Sequence, residues 1–296
     1  MLILDTYEHE TIWGGNRLSG ERGGKVGHLY SVITEDKMAS KILNGPYAGT
    51  TFRDYFKNNK SDIGMSEYSE FPFTVALVDA NDDLSIQVHP NDKTAQLLEN
   101  KKYGKNESWY FLDAPTSGRI YNGCVCKNKE ELRAKIDEMK FDGLTDTLPV
   151  QTGDYIYIEA GTLHSLTRGS LVYEIEENCN LTYRFYDFNR KDDFGNNRET
   201  HIEKAFQVIN VVKKSIAKKY LGAECITERR YSTQLLSNLT EYKNTGVDLA
   251  CFTLLEGSFC LDGIEVVMGM SVLVLPGEMF RCNAKKAIIA RPQKVR

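Results

Sequence analysis

Apolar and polar residues alternate in short runs over most of this chain, and clusters of Gly, Asn and Asp break the runs. "EFPFTVALVDANDDLSIQVHP" holds two apolar runs around Asn81-Asp82-Asp83. "SWYFLDAP", "GRIYNGCV", "DYIYIEAG", "SLVYEIEEN" and "LTYRFYDF" follow, rich in aromatic and β-branched residues. Those side chains suit a pleated, half-buried surface, and strands this closely spaced predict a β-sandwich or jelly roll. Two stretches switch to helical period. Residues 128–140 place Leu132, Ile136 and Met139 on one face behind an Asn128 cap. Residues 200–214 open with Thr200 and Glu203 in capping-box spacing and carry Ile202, Phe206 and Ile209 as an apolar stripe. The pattern divides into a large β domain over residues 1–200, a helical and irregular connector over 201–238, and a smaller β domain over 239–296.

One strand has an unusual polar face. In "LSIQVHPND", Ser85, Gln87 and His89 alternate with Ile86 and Val88, so period-two geometry sends a hydroxyl, a carboxamide and an imidazole to the same side. The question is what these three groups face.

Composition narrows the classes that can answer it. The 296 residues are enough for a sizeable core. A formal net charge of -4, with no Lys/Arg block, argues against a nucleic-acid partner. The start "MLILDTYEHE" carries early acids and no basic segment, unlike a signal peptide, and no apolar run approaches the roughly 18 residues of a membrane span. The expectation is a soluble, cytoplasmic protein with no membrane partner, a monomer or homodimer. Seven cysteines, an odd number without C-x-x-C spacing, predict no disulfide framework. Cys124 and Cys126 in "CVC" share a strand face and read as buried small hydrophobes rather than a metal or redox pair.

Only five histidines occur: His9, His28, His89, His164 and His201. His89 and His164 come from two β segments that a barrel can bring together, and "GKNESWYF" adds Lys105 and Glu107 at a strand entry. Gln87, His89, Glu107 and His164 would supply two nitrogens and two oxygens, a set suited to Zn²⁺ or another divalent ion. With one carboxylate the site would keep a net positive charge and stay electrophilic. Singly, each histidine is more often a hydrogen-bonded structural residue; the combination points to a metal.

These residues carry a resemblance. "GDYIYIEAGTLH" is similar to the second cupin motif, with Glu159 where proline is usual. "TIWGGNRL", "DANDDLSIQVHPND", "GKNESWY", "EIEENCNLTYRFYDFNR" and "ETHIEKAFQVIN" together resemble the short bacterial form of type I mannose-6-phosphate isomerase, collinearly over roughly residues 11–212. The resemblance implies a mainly β fold: a cupin jelly-roll barrel with a few helices, followed by a second, degenerate cupin-like domain. It implies zinc held by Gln87, His89, Glu107 and His164, catalysis by Arg184 and Lys105, and substrate contacts from Ser85 and Arg190. The substrate would be a sugar phosphate, and the reaction the interconversion of mannose 6-phosphate and fructose 6-phosphate through an enediolate.

Lys105 beside a cation would have its pKa lowered, which suits a proton shuttle. Glu174, Glu176 and Asp187 are rival bases, and Arg184 reads alternatively as an ion-pair partner of Glu174 or Glu176. His201 reads as structural, and Trp13-Gly14-Gly15 as either a turn or a pocket wall. The chain departs from the family at Ala76, where lysine is usual, at His28 and Tyr30, and over Glu176–Asn180. Two other readings therefore stand beside the isomerase: an altered sugar-phosphate-binding cupin or an isomerase of another sugar phosphate, and an Fe²⁺ cupin oxygenase. Gln87, where a facial triad would want histidine, disfavours the last. Residues 239–296 contain no histidine, so that domain is read as a structural cap.

Overall fold

The computed structural model describes residues 1–20, 23–141, 143–191, 195–220, 222 and 224–294. Its contacts define two compact units that interleave along the chain. One contains Met1–His9, Leu29–Leu77 and Tyr220–Arg296; the other contains Glu10–His28 and Val78–Lys219. The helical segment after 201 thus belongs to the second unit, and the strand that begins at Tyr231 to the first.

The unit built around Val78–Lys219 carries every candidate site residue. Its elements in chain order are β1 (Ile86–Val88), α1 (Asp92–Glu99), β2 (Glu107–Asp113), β3 (Arg119–Cys124), α2 (Lys129–Asp137), β4 (Thr145–Pro149), β5 (Asp154–Ile158), β6 (His164–Ser165), β7 (Leu171–Glu177), β8 (Tyr183–Tyr186), α3 (Ile202–Val208) and β9 (Ala217–Lys219). Two antiparallel layers result. One runs β8-β1-β6-β3-β4, and the other includes β9-β5-β2-β7 in that order.

The first layer is covered on both faces. Ile86, Val88, Tyr183 and Phe185 pack outward with Leu132, Ile136, Ala205 and Val208 of helices α2 and α3. Between the layers Trp109, Phe111, Ile120, Ile156, Ile158, Leu166 and Val172 form a second cluster. The helices bury the apolar side of β1, and its polar side turns inward, against the usual arrangement for a two-layer sheet. Cys124 and Cys126 are buried in the helix-side cluster, as their spacing predicts. All seven cysteines are free.

Helix boundaries are the part the pattern misplaces. Asn128 caps α2 as expected, its side chain accepting from the Glu131 amide. The helix ends at Asp137, however, and Met139 has φ +53° and is exposed rather than on the buried face. The capping box at Thr200 does not form. His201 is the N-cap of α3 and makes no side-chain cap bond, while Glu203 pairs with Arg133 of α2 at 2.7 Å. Two short helices were not anticipated, α1 and one at Phe52–Asn58 in the other unit.

That other unit is an antiparallel sheet made largely of β10 (Cys225–Thr227), β11 (Tyr231–Lys243), β12 (Ala250–Gly257), β13 (Ser271–Val274) and β14 (Met279–Pro292). Its order is Leu2–Leu4, β13, β12, β14, β11, β10. Ile3, Phe252, Leu254, Phe259, Val272, Phe280 and Ile289 fill its core, with Phe252 and Phe280 edge-to-face at 5.2 Å. Phe252→Ala is expected to cost about 3–5 kcal/mol of this unit's stability. Urea unfolding followed through β-sheet circular dichroism measures it, and a change below about 1 kcal/mol would mean the core is not packed as described.

Candidate metal centre and active site

Strand pairing sets the first row of the site. Gln87 of β1 lies opposite His164 of β6 on one side and Arg184 of β8 on the other. Directly paired residues share a face, so all three turn inward. On the facing layer Glu107 pairs with Glu176, and Trp109 with Glu174. His89 follows β1 in the same inward phase as Gln87 and Ser85.

Glycines bring the connecting segments close enough to complete the set. A Cβ on Gly104 would lie 2.3 Å from the Pro90 carbonyl oxygen, so only glycine fits there. Lys105 then donates its amide to that oxygen at 2.9 Å, which brings Lys105 beside His89. Gly161, at φ +88°, donates its amide to the His89 carbonyl and turns the chain toward His164.

The result is a buried cluster of lone pairs. His89 Nε2 lies 3.1 Å from one Glu107 oxygen, and His164 Nε2 lies 3.2 Å from the other. The opposite ring nitrogens fix the tautomers. His89 Nδ1 donates to the Leu181 carbonyl and His164 Nδ1 to the Thr162 carbonyl, both at 2.9 Å. A carbonyl only accepts, so each Nδ1 carries hydrogen and each Nε2 of a neutral ring presents a lone pair to the carboxylate. Burial drives the His89 pKa down to about 4, so that ring is neutral at pH 7. Burial alone would push Glu107 up, but His89 and Lys105 reverse this and hold its carboxyl well below the usual range. His89 Nε2 and Glu107 Oε1 have no hydrogen-bond donor among the described residues. Two lone pairs aimed at a carboxylate at about 3 Å repel unless a cation lies between them. His89, Glu107 and His164 accordingly form a candidate metal site.

Gln87 stands at the edge of this cluster, with its Nε2 3.5 Å from His164 Nε2. Its Oε1 accepts from the Ser85 hydroxyl at 3.0 Å. Turning the amide by 180° would bring the oxygen to the centre and let the same hydroxyl accept from Nε2. In either orientation Ser85, only 2% exposed, is spent on holding Gln87.

Lys105 sits among carboxylates. Burial would lower its pKa, but Glu176, Glu107 and Glu174 outweigh burial and raise it well above its ordinary value. It contacts Glu176 in a short ion pair and lies 3.3 Å from Glu107. Three carboxylates surround it, so it is held as an ammonium. Glu174 carries the opposite perturbation. Burial, Glu107 and Glu176 raise it to about 8, while Trp109 Nε1 donates to it at 2.8 Å. Trp109 also packs edge-on against His164 at 5.6 Å. Sequence reasoning passed over Trp109, although it lies two residues from Glu107 on the same strand face.

The arginines lie to one side. Arg184 Nε is buried without an acceptor among the described residues, and burial lowers the Arg184 pKa. Its charged neighbours are Asp187 and Glu199 rather than Glu174 or Glu176. His201 holds its backbone in place: the His201 amide donates to the Arg184 carbonyl at 2.7 Å. Arg190 is bound to Asp187 and to the Asp83 carbonyl.

This geometry agrees with known proteins. A model of the type I phosphomannose isomerase catalytic domain matches residues 4–110. The probable mannose-6-phosphate isomerase GmuF of Bacillus subtilis is 38% identical over 215 residues, covering 71% of this chain and 68% of that protein. A mannose-6-phosphate isomerase of Streptococcus mutans is 37% identical over 218 residues, covering 72% and 68%. The crystal structure of a mannose 6-phosphate isomerase from Bacillus subtilis matches with a TM-score of 0.84 and 26% identity, over 98% of this chain and 99% of that one. The chain belongs to the type I phosphomannose isomerase family. The mainly β, cupin-type fold expected from the sequence is the fold observed.

Two measurements follow from the site. Saturating zinc is expected to raise the melting temperature of the parent and leave His164→Ala unchanged; at 100 times Kd the gain is about 2.7 kcal/mol. An equal shift in both proteins would place the ion elsewhere. The second concerns Glu174, whose folded pKa of about 8 exceeds its ordinary 4.5. The native state keeps a proton that the unfolded chain releases, so metal-free stability falls as pH rises from about 4.5 to 8. Glu174→Gln should flatten that slope in urea titrations, and an unchanged slope would assign it to other groups.

Proposed function

We propose that this protein is a zinc-dependent aldose–ketose isomerase that interconverts mannose 6-phosphate and fructose 6-phosphate. The observation that carries the reading is the buried meeting of His89 and His164 lone pairs with Glu107, beside a charged Lys105. Gln87, His89, Glu107 and His164 would hold the ion. Zinc bound there would polarise the substrate's oxygens and stabilise negative charge as an enediolate forms.

The remaining steps belong to side chains of the chain. Moving a carbonyl between C1 and C2 requires removal of a proton α to it and its return to the neighbouring carbon. Glu176, ion-paired with Lys105, is the carboxylate that would take the C2 proton and deliver it to C1. Lys105, kept as an ammonium, opposes the charge that develops meanwhile. Arg184 shares the inward face with Gln87 and brings an unpaired N–H to the same region. Arg190 offers a fixed positive charge for the phosphate, and its binding energy would hold the sugar over the metal. Ser85 supports the phosphate reading only indirectly, since its hydroxyl orients Gln87. Among the described residues no helix is long and apolar enough to cross a membrane. The free cysteines support a reducing, cytoplasmic setting.

A coupled assay for fructose 6-phosphate formed from mannose 6-phosphate tests the reading directly. Turnover by zinc-loaded protein is expected, with a loss of at least ~1,000-fold in His164→Ala, the scale on which electrostatic stabilisation acts. Lys105→Met should lower kcat more than it changes KM. No turnover by folded, zinc-loaded parent would sink the reading and favour a binding protein or another sugar phosphate.

A further inference from the structure

His28 has no part in the steps above, and it stands at a position where the chain departs from the family. It closes the segment Glu10–His28, which belongs to the same compact unit as the candidate metal site. The residues before it fix its direction. A Cβ on Gly27 would lie 2.2 Å from Thr11 Oγ1 and 2.7 Å from the Trp13 ring, so any side chain there would push the indole away. Trp13, 3% exposed, instead meets the His28 ring edge-on, with centroids 5.1 Å apart and 75° between the planes. Held against that apolar wall, the imidazole brings Nε2 to 3.9 Å from Glu174 Oε2.

Glu174 links His28 to the site. Its other oxygen accepts from Trp109 Nε1 at 2.8 Å. Glu174 also offers an oxygen within 4.8 Å of oxygens from Glu107 and Glu176. His28 therefore lies one side chain further out than Glu174 along a row that starts at the candidate metal ligands. The 3.9 Å between His28 and Glu174 is longer than a direct hydrogen bond, and their side chains are only 19% and 9% exposed. One hydroxyl oxygen can reach both groups. A hydroxyl accepts as well as donates, so it joins an imidazole N–H to a carboxylate, or an imidazole lone pair to a carboxylic acid. A phosphate or carboxylate oxygen has no hydrogen to give and would oppose an ionised Glu174. An apolar group would leave both polar partners unmet.

We propose that His28 and Glu174 together hold the C3 hydroxyl of the sugar, which makes His28 a specificity-determining residue of this chain. The assignment rests on the isomerase reading: with the C1 and C2 oxygens at the metal, the next oxygen along the sugar is the one on C3, and Glu174 is the next side chain along from Glu107. The C3 hydroxyl is unchanged by the reaction, so its hydrogen bonds are made alike in the ground and transition states. Their loss acts on KM rather than kcat.

Mannitol 6-phosphate has no carbonyl and cannot be isomerised, so calorimetric titration of the full-length, zinc-loaded protein with it reads binding alone. In the parent, its 3-deoxy counterpart is expected to bind about 10-fold more weakly, the scale of one or two hydrogen bonds. In His28→Leu, mannitol 6-phosphate itself should bind more weakly, and removal of the hydroxyl should then cost less than about 3-fold; that non-additivity marks a direct contact. His28→Gln, whose amide reaches toward Glu174, should recover part of the loss. With mannose 6-phosphate, His28→Leu should raise KM while kcat stays within about 3-fold. Thermal melts establish that each variant is folded, and His28→Asn, whose amide stops short of Glu174, replaces His28→Leu if the latter does not fold. Equal penalties for the missing hydroxyl in parent and variant overturn the proposal, since His28 is then only packing against Trp13. That result beside normal turnover by the parent removes this proposal alone. A folded, zinc-loaded parent that neither binds mannitol 6-phosphate nor turns over mannose 6-phosphate removes the isomerase reading, and this proposal with it.

Discussion

The arrangement of the site follows from one electrostatic conflict. A buried carboxylate, Glu107, is met on both oxygens by imidazole nitrogens that have no hydrogen to give. Backbone carbonyls on the far side of each ring enforce the conflict by claiming both Nδ1 hydrogens. It could be relieved by protonating a ring, but burial has made that costly for His89. Lys105 relieves part of it from outside, and is itself shared with Glu176. The fold holds this region in a state that a divalent cation would complete, and holding ligands ready in that way reduces the ordering that binding must pay for.

Much of this was legible because strand geometry has a two-residue period. Ser85, Gln87 and His89 fall on one face in any strand, so their grouping did not depend on knowing the fold. The question they raise is answered by the inward side of a layer whose outward side is buried under helices. The cupin-like stretch "GDYIYIEAGTLH" likewise marked His164. Trp109 could have been found by the same counting from Glu107, because it is the next residue in phase.

Other features depend on distances between segments far apart in sequence, which periodicity does not carry. The number of carboxylates around Lys105 is one such feature: Glu174 and Glu176 come from a strand some 70 residues away, and with Glu107 they raise the lysine's pKa despite burial. Helix ends were misjudged for a local reason. The apolar stripe that suggests helix continues past Asp137 and Val208, but the chain turns there, leaving Met139 exposed and Ile209 buried on extended backbone.

The interleaving of the two compact units has a consequence for synthesis. Leu2–Leu4 forms its sheet edge with Ser271–Val274, far later in the chain. That pairing cannot form until residues 271–274 have been made, so Leu2–Leu4 must wait for its partner strand. Residues 78–219 form most of the other unit and are complete well before then. Folding during translation would thus build the unit with the candidate metal site first and close the sheet that holds Leu2–Leu4 after it, so loss of residues 271–274 would leave that strand without its partner.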